Sequence, residues 1–209
     1  PMEPRAINAR YDAARQTFTI WGGTQNAHIL REILATHVFH IPEERIEIVA
    51  GDLGGSFGLK AAIPPEMLLM PWAARKLGRP VKWTATRSEM IIADNHGRDL
   101  ISTAELAFDD EGRFLAVRSH NIANHGAHVE IWGAASSVVN VGSIAGNYTI
   151  PAAHVKVTGV LSHTSPLSPY RGAGRPEATL VIERLLDMED PAATLVFCRT
   201  RQEVESLVE

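Results

Sequence analysis

LISTAELAFDDEGRFLAVRSHNI, residues 100–122, is the clearest structural signal in the chain. Polar and apolar residues alternate along Leu100–Phe108 and again along Phe114–Ile122, as in β-strands with one buried face. The residues between the two segments, Asp109–Gly112, are typical of a tight turn. The stretch therefore predicts an antiparallel β-hairpin.

The sequence on either side of this hairpin mixes strand and helix patterns. Apolar residues recur at helical spacing in the first predicted helix, and a proline opens each of the other two. The predicted strands are Thr17–Trp21, Ile46–Ala50, Val81–Thr84 and Val155–Ser162, and the predicted helices are Ala27–Phe39, 65–77 and 176–187. This irregular order predicts an α+β fold of layered strands and helices rather than a regular βαβ array.

Composition narrows the class of protein. The chain has 209 residues, 45% of them hydrophobic, which is enough to form a buried core. Its formal net charge of −4 gives no general attraction to nucleic acid or to anionic lipid. No apolar run reaches the roughly 18 residues of a membrane helix, and no signal peptide is evident, so we expect a soluble, cytoplasmic protein without a nucleic-acid or membrane partner.

Two further features concern cysteine and the first residue. The single cysteine, Cys198, excludes an internal disulfide and any iron–sulfur or zinc site built on cysteines of this chain. The chain starts at Pro1 rather than at methionine, which indicates a fragment or a processed product.

A glycine-rich segment, GDLGGSFGLK at residues 51–60, directly follows a predicted strand. Glycines there would let backbone N–H groups approach an anionic or oxo-bearing ligand. The segment is not a phosphate-binding P-loop, because Lys60 is followed by Ala61 rather than by Ser or Thr. A tight connection between a strand and a helix is the alternative interpretation.

Two other loops have suitable chemistry for a ligand. PYRGAGRPE, residues 169–177, presents Arg171 and Arg175 ahead of a helix N-terminus, and guanidinium and backbone N–H groups bind phosphate or metal-oxo oxygens well. A surface loop with two solvated arginines is the alternative. Residues 23–26 place amide side chains before a helix, where capping by Thr24 or Asn26 is the alternative.

The histidines do not predict a metal site. His125 and His128 are three residues apart in a strand-like segment, which would place them on opposite faces, and no third ligand is nearby. Ordinary structural histidines are the better interpretation, and we assign no metal-ligating side chain to this chain. No nucleophile-elbow motif is present either, so hydrolysis has little support.

Taken together and in order, these motifs resemble one family, the large subunit of the molybdenum hydroxylases, which includes xanthine dehydrogenase, aldehyde oxidase and CO dehydrogenase. The resemblance covers residues 1 to about 187. The segments that carry it are Pro1–Arg5, Thr24–Asn26, Gly54–Gly58, Pro65–Glu66, Leu77–Lys82, Tyr170–Glu177 and Val181–Arg184. Several spaced motifs are far more specific than one glycine-rich loop.

The resemblance implies a molybdopterin-binding domain and an oxidoreductase. Such enzymes use molybdenum held by molybdopterin, in some members as the cytosine dinucleotide, to hydroxylate an aldehyde, heterocycle or similar C–H substrate with oxygen from water. Electrons leave through iron–sulfur and FAD partner subunits of a hetero-oligomer. Gln25 would donate to a molybdenum oxo ligand, and the other implied cofactor-binding residues are Gly54, Gly55, Ser56, Phe57, Gly58, Arg171, Gly172 and Ala173.

Departures from the family pattern limit the implied activity. Ala61 stands where purine-hydroxylating members have a substrate-binding glutamate, and Gly172 stands where copper-containing CO dehydrogenases have a cysteine. Xanthine and a Mo–S–Cu centre are therefore poor expectations. The later segment that supplies the glutamate base is absent, so the chain contains no catalytic residue and we expect no turnover by it alone.

The last residues, 188–209, do not continue the family pattern. Ala193–Arg201 instead resembles the first strand of the C-terminal domain of DEAD-box helicases, without the ATPase motifs of those enzymes. We therefore divide the chain into a molybdopterin-binding domain, residues 1–187, and a poorly anchored foreign strand–helix segment, residues 188–209. A non-catalytic binding module and a helicase-derived RNA-binding fragment are the alternative functions.

Overall fold

The computed structural model describes residues 1–130, 132–138 and 143–187, and the chain divides into two compact units, residues 1–94 and residues from 95 onward. Helices and mixed sheets occur in both units. This arrangement confirms the predicted α+β class. Within the described residues, no helix has the length and apolar composition needed to cross a membrane.

The first unit is built on a four-stranded mixed sheet. Its strands are β1 (Ala6–Asp12), β2 (Thr17–Gly22), β3 (Ile46–Val49) and β4 (Val81–Thr84), in the order β3-β2-β1-β4. β1 is antiparallel to β2 and β4, whereas β2 and β3 are parallel. Alternate side chains of β1 and β2 are buried, so one face of the sheet forms the core of this unit.

Three α-helices complete the first unit: α1 (Ala27–Ile33), α2 (Pro65–Leu77) and α3 (Arg87–Ala93). α2 has a proline at its first position and stops at Gly78, whose φ of 64° is the left-handed conformation that ends many helices. The predicted helix 27–39 is α-helical only to Ile33 and continues as a π-helix, Leu34–Phe39. The wider π turn keeps Leu34, Ala35 and Phe39 buried together.

The second unit contains a three-stranded sheet in the order β5-β6-β7, formed by β5 (Leu100–Phe108), β6 (Phe114–Asn124) and β7 (Ala152–Val160). The predicted hairpin is confirmed as the antiparallel pair β5–β6. β7 lies parallel to β6 and pairs with it from Ala116 to Asn124, so it begins and ends earlier than the predicted strand. Among the described residues of this unit, two α-helices accompany the sheet, α4 (Gly133–Val138) and α5 (Arg175–Leu186).

α5 closes the core of the second unit. Its buried residues Ala178, Val181, Ile182 and Leu185 recur at helical spacing. The last three pack in one cluster with β5 and β6 side chains. α5 begins directly after the arginine-containing loop, so this packing sets where that loop lies within the unit.

Candidate functional site

The side chain of Gln25 has a defined orientation in the first unit. Its Oε1 accepts hydrogen bonds from the backbone N–H of Gly58, at 2.9 Å, and from the Ser56 hydroxyl. Its own backbone N–H donates to the Lys60 carbonyl at 3.0 Å. Because the amide oxygen accepts from two donors, its orientation is fixed, and the hydrogens on Nε2 are the donors of this side chain.

The loop Gly54–Gly58 has an unusual backbone. Gly55, Phe57 and Gly58 have φ values of 95°, 56° and 101°, which are left-handed conformations. A Cβ on Gly55 would lie 2.8 Å from a ring carbon of Phe57, so only glycine suits that position. A Cβ on Gly54 would lie 2.5 Å from Cβ of Glu3, so the lack of a side chain there lets Glu3 pack directly against the loop.

A buried lysine and a glutamate from the start of the chain hold this loop. Lys60 is only 4% exposed, and its ammonium group pairs with the Glu3 carboxylate. The same carboxylate accepts the Gly54 N–H at 3.0 Å, and the Glu3 N–H donates to the Gly54 carbonyl at 3.2 Å. The Lys60 hydrogen bond, followed by the Gly54 one, lowers the pKa of Glu3. Glu3 therefore stays ionised and keeps the loop in place.

The second unit presents the arginine-containing loop. Gly172, Ala173 and Gly174 all have positive φ, at 89°, 47° and 94°. The Ala173 N–H donates to the Tyr170 carbonyl at 2.6 Å, and this hydrogen bond shapes the loop. A Cβ on Gly172 would lie 2.6 Å from Cδ of Pro176, so a cysteine there would force a rearrangement. Arg171 itself is exposed.

The predicted site residues thus occur as two groups. Gln25 and Gly54–Gly58 come together in the first unit, while Arg171–Ala173 form one loop of the second. Asn26 is the N-cap residue of α1 but makes no side-chain capping bond, so the capping alternative does not describe its role. Thr24 is buried, and its hydroxyl accepts the Asn26 N–H at 3.1 Å.

The two histidines considered for a metal site lie just beyond the end of a strand. β6 ends at Asn124, so His125 and His128 follow the strand rather than lying within it. His125 is buried, and its Nε2 lies 3.4 Å from the Ser137 hydroxyl. Across residues 1–130, 132–138 and 143–187, no three His, Cys, Asp or Glu side chains gather where they could hold a metal ion.

Sequence reasoning missed Glu3 as part of the site. Glu3 and Lys60 are 57 residues apart, and neither lies in a pattern that would link them. The available signal was the presence of Glu3 in the first matching motif, Pro1–Arg5. Its role becomes evident only from the contacts that the fold creates.

Comparison with known proteins identifies the family. The sequence model for the molybdopterin cofactor-binding domain matches residues 1–194. The chain belongs to this family. The gamma subunit of the 6-hydroxypseudooxynicotine dehydrogenase complex of Paenarthrobacter nicotinovorans is 38% identical to it over 188 residues, which are 90% of this chain and 23% of that protein.

Solved structures agree with this assignment. The structure of reconstituted CO dehydrogenase from Oligotropha carboxidovorans matches this chain with a TM-score of 0.82 and 30% sequence identity. The match covers 90% of this chain and 24% of the CO dehydrogenase chain. Quinoline 2-oxidoreductase from Pseudomonas putida 86 gives 0.78 and 33%, over 88% and 25%. The resemblance to molybdenum hydroxylase large subunits is confirmed, and the chain spans about a quarter of the length of these relatives.

The helicase interpretation of the tail is not supported. The family model continues to residue 194, beyond the boundary predicted at residue 187, so part of the segment assigned to a helicase matches the molybdopterin-binding family instead. Residues 188–209, with Cys198 and the predicted strand, lie outside the described residues. The boundary between residues 187 and 188 stays a prediction.

Proposed function

We propose that Gln25, Gly54–Gly58 and Arg171–Ala173 bind the molybdenum form of molybdopterin in a hydroxylase large subunit. The orientation of Gln25 is the observation that supports this most. Its amide oxygen is held by Gly58 and Ser56, which leaves the amide nitrogen as a preorganised donor. A donor fixed before the ligand arrives binds an oxygen acceptor without a further ordering cost.

The donor set matches the chemistry of this cofactor. Molybdopterin carries phosphate, and its molybdenum carries oxo and hydroxide oxygens, all of which accept hydrogen bonds. The residues offer a neutral amide, a loop of turned backbone and, in Arg171, a guanidinium that stays charged at any working pH.

In the intact enzyme, the bound molybdenum centre would supply the oxygen that enters the substrate C–H bond and would accept two electrons. This chain's residues would bind and orient the centre. The substrate class that we propose is an aldehyde, a heterocycle or a similar compound, and the heterocycle is favoured by the relative that is named for quinoline. The proposed partners are iron–sulfur and FAD subunits, in keeping with a relative that is one subunit of a complex.

Catalysis requires a general base that we do not assign to any residue of this chain. We therefore propose that residues 1–209 bind cofactor but do not turn over substrate alone. General-base help is worth about 10² to 10⁴ in rate, and its loss alone would lower turnover by that factor. Measurable hydroxylation by the isolated chain would contradict this part of the proposal.

Cofactor retention tests the binding function. The 209-residue chain would be purified from a host that makes molybdopterin and, as the control, from a strain unable to make it. We expect molybdenum and pterin to copurify with the chain only from the first host. If circular dichroism shows that the chain is folded and neither molybdenum nor pterin copurifies with it, the proposal is contradicted and a non-catalytic interaction module is favoured.

A further inference from the structure

Residues 96–98 lie directly against the segment that leads into the arginine-containing loop. The His96 N–H donates to the Pro166 carbonyl at 3.0 Å, and the Ser168 N–H donates to the His96 carbonyl at 2.7 Å. A Cβ on Gly97 would be only 2.6 Å from Cβ of Tyr170. The two backbone segments are therefore in close contact immediately before Arg171.

The side chain of Arg98 contacts this loop on both sides of its strained residues. Its Nη2 donates to the Arg171 carbonyl at 2.5 Å, and its Nη1 pairs with Glu177 at 3.1 Å. Its guanidinium carbon lies 5.0 Å from the centre of the Tyr170 ring. Tyr170 and Arg171 precede the positive-φ residues, whereas Glu177 follows them in the first turn of α5.

The conformation of Arg98 is itself unusual. Its φ of 61° is in the left-handed region, which non-glycine residues rarely adopt, so the surrounding contacts must hold it there. The side chain is one-third exposed and that of Glu177 is 15% exposed, so the pair is partly shielded from water. A planar guanidinium can donate in two directions at once, which a lysine ammonium cannot do with the same geometry.

We propose that Arg98 is the positioning residue of the cofactor-binding loop Tyr170–Gly174. It fixes the strained backbone, and with it the direction in which Arg171 leaves the loop, before any ligand binds. The inference rests on the proposed function, because the loop would be held for the sake of the cofactor. Arg98 itself would act through the loop and not on the reacting atoms.

Three variants of the 209-residue chain test this role. Arg98→Met removes both hydrogen bonds, Arg98→Lys keeps a positive charge for Glu177, and Arg31→Met is the matched control. Arg31 also pairs with a glutamate, Glu43, at 3.0 Å and is 38% exposed, but it lies in the first unit. Glu177→Gln is the substitute if Arg98→Met does not fold, since it weakens the same contact without changing shape.

Amide hydrogen exchange by NMR provides a readout that does not depend on cofactor. The Ala173 and Arg175 N–H groups are hydrogen-bonded within the loop. We expect their exchange to be at least about tenfold faster in Arg98→Met, intermediate in Arg98→Lys and unchanged in Arg31→Met, with the β5–β6 hairpin unaffected. Unchanged loop exchange in folded Arg98→Met would overturn the proposal.

Molybdenum content then separates a positioning role from a merely structural one. When the proteins are purified from a cofactor-producing host, we expect the molybdenum content of Arg98→Met to be lower than that of the parent chain. The decrease should be smaller in Arg98→Lys. Faster loop exchange with full molybdenum content would overturn positioning for the cofactor. If the parent itself carries no molybdenum, the proposed function fails, while the exchange data still decide whether Arg98 holds the loop.

Discussion

Replacing Gln25 by glutamate should separate folding of the site from binding of its ligand. A glutamate oxygen can accept the same two hydrogen bonds that the Gln25 oxygen accepts from Gly58 and Ser56. The Nε2 donor is lost, and a negative charge takes its place. Gln25→Glu should therefore keep the loop in place while removing the group that we assign to the cofactor.

The magnitudes differ for the two parts of this prediction. A hydrogen bond to a charged or strongly polar acceptor contributes about 1.5–3 kcal/mol, so losing the donor should weaken binding by roughly 10- to 150-fold. Thermal stability should change by less than about 2 °C in Gln25→Glu. Gln25→Ala, which loses both accepted bonds at an exposed site, should cost about 1–2 kcal/mol, or roughly 2–8 °C.

The assay compares molybdenum content and melting temperature for each variant after expression in a cofactor-producing host. Gln16→Glu is the matched control, because Gln16 is also a glutamine whose oxygen accepts a hydrogen bond, from Arg45 at 2.6 Å. The charge change is the same, so that variant should retain the parent's molybdenum. Gln25→Glu with parental molybdenum and parental stability would refute the assignment of the amide nitrogen.

Three further predictions concern stability. Glu3→Gln should lower the free energy of unfolding at pH 7 by about 1–3 kcal/mol, because it leaves buried Lys60 poorly paired. The pKa of Glu3 lies below its ordinary value of 4.5. The stability that the ionised Glu3 carboxylate contributes is therefore complete above pH 4.5 and is lost as the pH falls through the lowered pKa. An effect of Glu3→Gln that is as large at pH 3 as at pH 7 would contradict this. Gly126→Ala should lower the free energy of unfolding by about 3 kcal/mol or more, because its φ is 71° and the new Cβ would lie 2.2 Å from a backbone carbonyl oxygen. An unchanged melting temperature would contradict that close contact. Ile182→Ala should lower the free energy of unfolding, measured in urea, by about 2–5 kcal/mol. Leu180→Ala, at a nearby position that is 45% exposed, should change it by no more than about 0.5 kcal/mol. Equal changes in the two variants would contradict the buried face of α5.

Much of the fold could be predicted because its strongest elements carry local signals. The β5–β6 hairpin has alternating residues and a turn in which the Asp109 carboxylate accepts the Glu111 and Arg113 N–H groups. α2 has a proline at its start and a glycine at its end. Such signals depend on residues close in sequence, so they can be recognised without the fold.

Other elements lack such signals or have weak ones. β1 alternates correctly, but its buried side chains include small Ala9, so its strand pattern is faint. α3 has only seven residues, and its one clear sign is the capping box of Thr86 and Glu89. The π-helical turn after α1 is set by tertiary packing of its buried residues, which helical spacing alone does not reveal.

The candidate site also has parts that the sequence predicts and parts that it does not. Its glycine-rich and arginine-containing loops were evident as motifs, since glycine and arginine are needed there for local reasons. The side chains that hold these loops were not evident, because Glu3 reaches Lys60 across 57 positions and Arg98 reaches Glu177 across 79. Long-range contacts of this kind follow from the fold and leave no pattern along the chain.

The most direct test of the account is an NMR comparison of the chain with and without bound cofactor. Isotope-labelled chain from a molybdopterin-producing host would be compared with chain from a strain unable to make the cofactor. We predict that the side-chain NH₂ signals of Gln25 and the backbone amides of Gly54–Gly58 and Arg171–Gly174 shift, while those of the β5–β6 hairpin do not. Bound molybdenum with no change at Gln25, or with changes confined to other residues, would contradict the central claim.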